Sequence, residues 1–125
     1  MRDQFAKVEA AREKLEASPG DPEASTIMGR YYCFSRGDWP RGLPLLANSD
    51  DAALQSLAKR ELADPTDADA EVAVGDGWWD LSEKLPARYR RSARLHAAEW
   101  YQNALAGLRG LTRTRIEKRL AELGL

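Results

Sequence analysis

The chain has 125 residues, 43% hydrophobic and 31% charged, with a formal net charge of −1. This fits one globular domain with a core of its own, and it excludes intrinsic disorder and any global attraction to polyanions or anionic membranes. A single cysteine, Cys33, excludes an internal disulfide and a cysteine-cluster metal site.

The charged start through Arg2, Asp3, Lys7 and Glu9 reads as a helix rather than a secretory leader. No apolar run approaches the roughly 18 residues that a membrane span needs. These features leave the compartment open, as they do the question of whether the chain is an excised part of a longer polypeptide.

The first segment, residues 2–17, sets Phe5, Val8, Ala11 and Leu15 on one face of a helix. Ser18-Pro19-Gly20 stops it. Asp21 is placed to cap a second helix with Pro22 at its first position, and this helix is expected to run to about Arg36. Gly37 suits the left-handed residue that closes it, and Asp38 caps a short third helix around Leu43, confined by Pro44 and Asn48-Ser49-Asp50. Asp50 opens a fourth helix with a stripe of Ala53, Leu54, Leu57, Ala58 and Leu62. Thr66 or Asp67 opens a fifth, in which Val74, Trp78, Leu81 and Leu85 recur with helical spacing. After Pro86 a sixth helix is expected over 87–108, with Leu95, Ala98, Tyr101, Leu105 and Leu108 on one side. In the last helix Thr112 is the expected N-cap, Leu111 and Ile116 form a hydrophobic staple, and Ile116, Leu120 and Leu123 face inward. No run of alternating β-branched residues occurs. The fold class is therefore all-α, with about seven helices in a single helical domain over 1–125.

Charge is unevenly spread along this string of helices. Lys84 to Arg119 holds ten basic and two acidic residues, whereas the first 83 residues hold nine basic and 17 acidic ones. Only the pairing of the helices decides whether this becomes a dipole in space.

At Gly29, Tyr32, Gly37-Asp38-Trp39, Gly42 and Leu46 the chain resembles a tetratricopeptide-type repeat, with a first pair at about 22–47. A second, split pair at about 68–108 joins Val74-Gly75 and Trp78 to Ala97-Ala98-Glu99-Trp100-Tyr101, followed by a C-terminal helix at 112–123. The first copy has one extra residue between Gly29 and Gly37, and the second about ten between Gly75 and Ala97. The expected stack of helix hairpins is therefore irregular. With Gly37-Asp38-Trp39 followed by Leu43-Pro44-Leu45-Leu46, and later Gly75-Asp76-Gly77-Trp78-Trp79-Asp80-Leu81, the chain is also similar to a helical region of large uncharacterised bacterial multidomain proteins. Both resemblances imply an accessory, non-enzymatic interaction or scaffolding module whose partner is a protein or peptide, neighbouring domains of a parent polypeptide included. Neither implies a catalytic residue, cofactor or metal.

Several clusters invite chemistry. His96, the lone histidine, would serve an enzyme with Cys33 or Glu99, but an isolated histidine on an amphipathic helix is better explained by packing, and Cys33 as a small buried hydrophobe. Asp64, Asp67, Asp69 and Glu71 lack the ligand spacing and glycine of a calcium loop and fit the start of a helix. The arginine-rich segment 84–119 supports an alternative function, nucleic-acid binding along a phosphate backbone with Trp100 or Tyr101 as a stacking platform. Trp78 and Trp79 point about 100° apart on a helix, which assigns Trp78 to the core and Trp79 to an interface or to packing between repeats. The residues expected to bind a partner are Arg30, Tyr31, Asp76, Trp79 and Asp80, which neighbour the packing positions without occupying them.

Overall fold

A computed structural model describes residues 2–125, with side chains placed from Gln4 onward. The described residues form seven α-helices and no strand: α1 (Arg2–Ala17), α2 (Pro22–Arg30), α3 (Trp39–Leu46), α4 (Ala52–Leu62), α5 (Ala68–Ser82), α6 (Ala87–Ala104) and α7 (Gly110–Glu122). They divide into two compact units, one ending at Ala63 and the other beginning at Asp64.

In the first unit, α1 packs on α2, α2 on α3 and α3 on α4. Val8 and Ala11 of α1 meet Ala24 and Met28 of α2, with Leu15, Ile27, Tyr31, Tyr32 and Leu45 around them. Asp21 caps α2 as its position predicts, its carboxylate accepting the Ala24 N–H at 2.9 Å. The second helix does not reach Arg36 as a regular α-helix. From Tyr31 to Ser35 it widens into a π-helical turn, in which the Arg36 N–H donates to the Tyr31 carbonyl five residues back. The wider turn carries Cys33 and Phe34 into the interior. Gly37, at φ 66°, then reverses the chain.

The α2–α3 contact requires glycine on both sides. A Cβ on Gly29 would lie 2.7 Å from Cδ2 of Leu46, and one on Gly42 would lie 2.9 Å from the Gly29 carbonyl oxygen and against Sγ of Cys33. Pro44 lies inside α3 rather than ending it. It and Pro40, whose carbonyl would have accepted the missing N–H, are both exposed, so water can take the acceptor's place. The cap of α4 is Asp51 rather than Asp50: its Oδ1 accepts the N–H groups of Ala53 at 3.0 Å and Leu54 at 3.2 Å. Asp50 instead accepts the Thr26 hydroxyl at 2.6 Å.

In the second unit α5 lies along α6, and α7 packs on α6. Asp67 caps α5, accepting the Ala70 N–H at 3.2 Å. Trp78 and Tyr101 are both 0% exposed, and truncating either to alanine is expected to cost about 3–5 kcal/mol. Small residues on α6, Ala93, Ala97, Ala98 and Ala104, are all buried, which lets the two helices approach closely. At the crossing, a Cβ on Gly75 would lie 2.6 Å from the Tyr101 ring. The ring that covers this glycine is the tyrosine of α6.

Two expectations near the C-terminus are corrected. The sixth helix ends at Ala104 and continues as a single 3-10 turn over Leu105–Gly107 instead of reaching Leu108 as α-helix. The last helix starts at Gly110, not after a Thr112 cap, and Leu111 is 89% exposed, so there is no staple. Its first turn is exposed, where water satisfies the free N–H groups and no side-chain cap is required. Ile116 and Leu120 are its buried side chains, as expected, and contribute about 3–6 kcal/mol of burial between them.

The charge asymmetry along the chain disappears within the units. Nine basic and ten acidic residues precede Asp64, and ten of each follow from Asp64 onward. Acidic α5 and the arginine-rich α6 and α7 belong to one unit and compensate each other there.

Candidate functional site

The densest polar constellation of the second unit is built on Asp76 of α5. Asp76 follows Gly75 at the α5–α6 crossing, so its carboxylate emerges at the edge of the buried stripe with its side chain 31% exposed. The Tyr101 hydroxyl, reaching over from α6, donates to Oδ1 at 2.6 Å. Arg115 of α7 grips both carboxylate oxygens, Nη1 to Oδ1 at 2.8 Å and Nη2 to Oδ2 at 3.1 Å. Arg119, one turn later, donates through Nη1 to Oδ1 at 3.1 Å and to the Tyr101 hydroxyl at 2.7 Å. Two arginines spaced i, i+4 thus converge on one carboxylate in the geometry that makes arginine pairing directional.

The same arginines meet an aromatic surface. Trp79 has the Arg119 guanidinium carbon 4.9 Å and the Arg94 guanidinium carbon 5.0 Å from its ring centroid. Arg94 also donates through Nε to the Ser82 hydroxyl at 3.0 Å, and that hydroxyl donates to the Trp79 carbonyl. Burial first, and then the bond to Asp76, push the Tyr101 hydroxyl well above the usual phenol range. The bond to Asp76 likewise holds the Arg115 guanidinium above its ordinary range.

Of the residues expected to bind a partner, Asp76 and Trp79 are brought together here, and Asp80 is exposed one turn after Asp76. Trp79 is not an exposed anchor. Only 5% of it is accessible, and arginines cover the ring that helix geometry alone would leave outward. Arg30 and Tyr31 belong to the first unit. Tyr31 opens the π-helical turn with its ring 5.5 Å from that of Tyr32. It lines a groove of about 370 Å³ together with Phe5, Val8, Glu9 and Arg12 of α1. Phe5 is 68% exposed at this groove, and the Gln4 side-chain amide donates to the Ser35 hydroxyl at 3.2 Å beside it.

The arginine run is largely occupied within its own unit. Arg90 donates to the carbonyls of Ser82 and Leu85, closing the C-terminal end of α5. Arg113 donates to the Leu105 carbonyl at 2.7 Å and pairs with Glu117 at 3.4 Å. Tyr101, which the alternative reading would use as a stacking platform, is buried as its place on the apolar side of the sixth helix predicts, whereas Trp100 is half-buried.

Cys33 is 0% exposed, and burial, with lesser contributions from the Glu61 and Asp38 charges, pushes its thiol far above the usual range, so the thiol stays protonated. His96 is buried edge-on against Trp78 at 5.6 Å, with Nδ1 3.5 Å from Glu99 Oε2. Among the described residues no three His, Cys, Asp or Glu side chains converge where they could hold a metal ion, and no helix is long and apolar enough to cross a membrane. Compared with known proteins, the chain matches no protein-family model, no curated protein and no solved structure.

Proposed function

We propose that this chain is a non-enzymatic interaction module, a small helical scaffold that binds a peptide segment of another protein. The observation that carries the reading is the groove beside the π-helical turn. There Phe5, 68% exposed, and Tyr31 offer aromatic surface, and Glu9 and Arg12 pair on the rim. Such a combination of an apolar floor with a few oriented polar groups suits a peptide side chain, and exposed aromatics anchor protein interfaces at low entropic cost. π-Helical turns occur often at functional positions, because they store an irregular backbone that tertiary contacts must support.

A peptide library displayed on phage and selected against the intact chain tests this. Selected peptides are expected to lose affinity by roughly tenfold or more against Phe5→Ala and Tyr31→Ala variants, the usual consequence of truncating an interface anchor. Circular dichroism should show both variants folded. Failure to select any peptide, or selected peptides indifferent to both substitutions, would overturn the assignment.

A further inference from the structure

The Asp76 constellation has the form of a binding site that is already filled. Its acceptor half belongs to α5 and α6 and has contacts of its own there: the Tyr101 hydroxyl donates to the Asp76 carboxylate at 2.6 Å, Arg94 lies over the Trp79 ring, and the Ser82 hydroxyl donates to the Trp79 carbonyl. Its occupant half is Arg115 and Arg119, one helical turn apart, flanking the buried pair Ile116 and Leu120. The helix that supplies them is a weak tenant. Ile116 and Leu120 are its buried side chains, its first turn has no side-chain cap, and it is joined to α6 through a 3-10 turn and Gly110 at φ 61°. The ionic half of its attachment is partly open to water, with the Arg115 side chain 41%, the Asp76 side chain 31% and the Arg119 side chain 23% exposed, so salt weakens it.

We propose that Asp76, Trp79 and Tyr101 form a recognition site for a partner protein's helix bearing two arginines one turn apart, and that α7 occupies it as a displaceable internal mimic. The chemistry of the site selects this partner. One fixed carboxylate offers two oxygens to a planar guanidinium, and an indole beside it offers a ring face, a combination that lysine cannot satisfy in the same way. The site accepts cations, so it addresses a basic protein helix rather than a phosphate backbone. It lies on α5 and α6 and is independent of the groove beside Tyr31.

The test uses the full chain and a fluorescein-labelled peptide of residues 110–125. Arg115→Ala/Arg119→Ala removes both guanidiniums from the site, which leaves α7 held by Ile116 and Leu120 and empties the ionic part of the site within the chain. This variant is expected to bind the peptide roughly tenfold or more tighter than the unaltered chain, whose own α7 competes at an effective concentration near millimolar. Binding should fall about tenfold for a peptide carrying lysine at both arginine positions, and it should disappear when Asp76→Asn is added to the emptied chain. A folded, emptied chain that binds no peptide up to about 1 mM, or binds it equally with lysines or with Asp76→Asn, overturns the proposal. Dimerisation of the unaltered chain that Asp76→Asn abolishes would also overturn it, by assigning the site to exchange of α7 between copies. Hydrogen exchange on the unaltered chain gives an answer even if the emptied variant unfolds. Amides of 110–122 should exchange faster than those of α5 and α6, and faster still as salt is raised. Exchange of α7 in step with α5 and α6, insensitive to salt, contradicts displacement.

Discussion

Asp76 and Arg115, 39 positions apart in the chain, meet through two hydrogen bonds of 2.8 and 3.1 Å, one to each carboxylate oxygen. A fork-to-fork contact of this kind fixes orientation as well as distance. It sits one residue from Gly75, where the Tyr101 ring leaves no room for a Cβ, so a tightly packed point of the α5–α6 contact and the point of attachment for α7 are neighbours. The same carboxylate therefore reports on both.

The glycines at the crossings should differ sharply from those in open turns. Gly75→Ala pushes a methyl group toward a Tyr101 ring that is 0% exposed and tethered through its hydroxyl, so the ring has little room to yield. A net loss of up to about 2 kcal/mol is expected, overpacking of about 1–3 kcal/mol less a gain of about 1 kcal/mol in helix propensity. Gly42→Ala should cost at least as much, because its Cβ would meet the Gly29 backbone oxygen at 2.9 Å, and backbone yields less readily than a side chain. Gly20→Ala meets nothing within 4 Å and should be neutral or slightly stabilising. Urea midpoints of the three variants check the ordering.

Stability should fall at alkaline pH. Cys33 and Tyr101 are both raised above their ordinary values of 9.0 and 10.0, chiefly by burial. Above those values the unfolded chain releases protons that the folded chain keeps, so it binds fewer protons and rising pH favours unfolding. The contribution is fully present below about pH 9 and is lost progressively above it. Urea titrations between pH 8 and 11 should show this decline, and Tyr101→Phe should lessen the part beginning near pH 10. A flat profile through pH 11 would contradict the burial of both groups.

Indole accessibility gives an independent check on the site. Trp78 is 0% and Trp79 5% exposed, whereas Trp39 and Trp100 are half-buried. Iodide should quench two indoles and leave two shielded. Replacing Trp79 with phenylalanine should remove emission from the shielded class.

The helices themselves were legible because their apolar residues recur with one period and their ends carry Asp, Gly and Pro. Asp21, Asp67 and Gly37 do what their positions predict. Asp51 replaces the expected Asp50 as cap because both can serve and the distant Thr26 hydroxyl, invisible to periodicity, engages Asp50. Thr112 misled because a good cap is unnecessary where a helix begins in water. The Asp76 constellation was half visible. A carboxylate beside the buried stripe of one helix, and arginines one turn apart beside that of another, each signal a half-buried ion seeking a partner. Which two meet depends on the path of the chain through Leu105–Gly107 and Gly110, and periodicity carries no record of that path. Which of the two readings of Trp79 holds, interface or packing, depends on the same path, since its cover comes from Arg94 and Arg119 on two other helices.

The most direct test of α7's attachment to α5 is a double-mutant cycle on Asp76→Asn and Arg115→Ala, read by urea unfolding at low and high salt. A coupling energy of about 1 kcal/mol at low salt, reduced at high salt, is expected for a partly exposed bidentate pair within a network. Additive effects, with a coupling below about 0.3 kcal/mol at low salt, would mean that Asp76 does not hold α7 in solution.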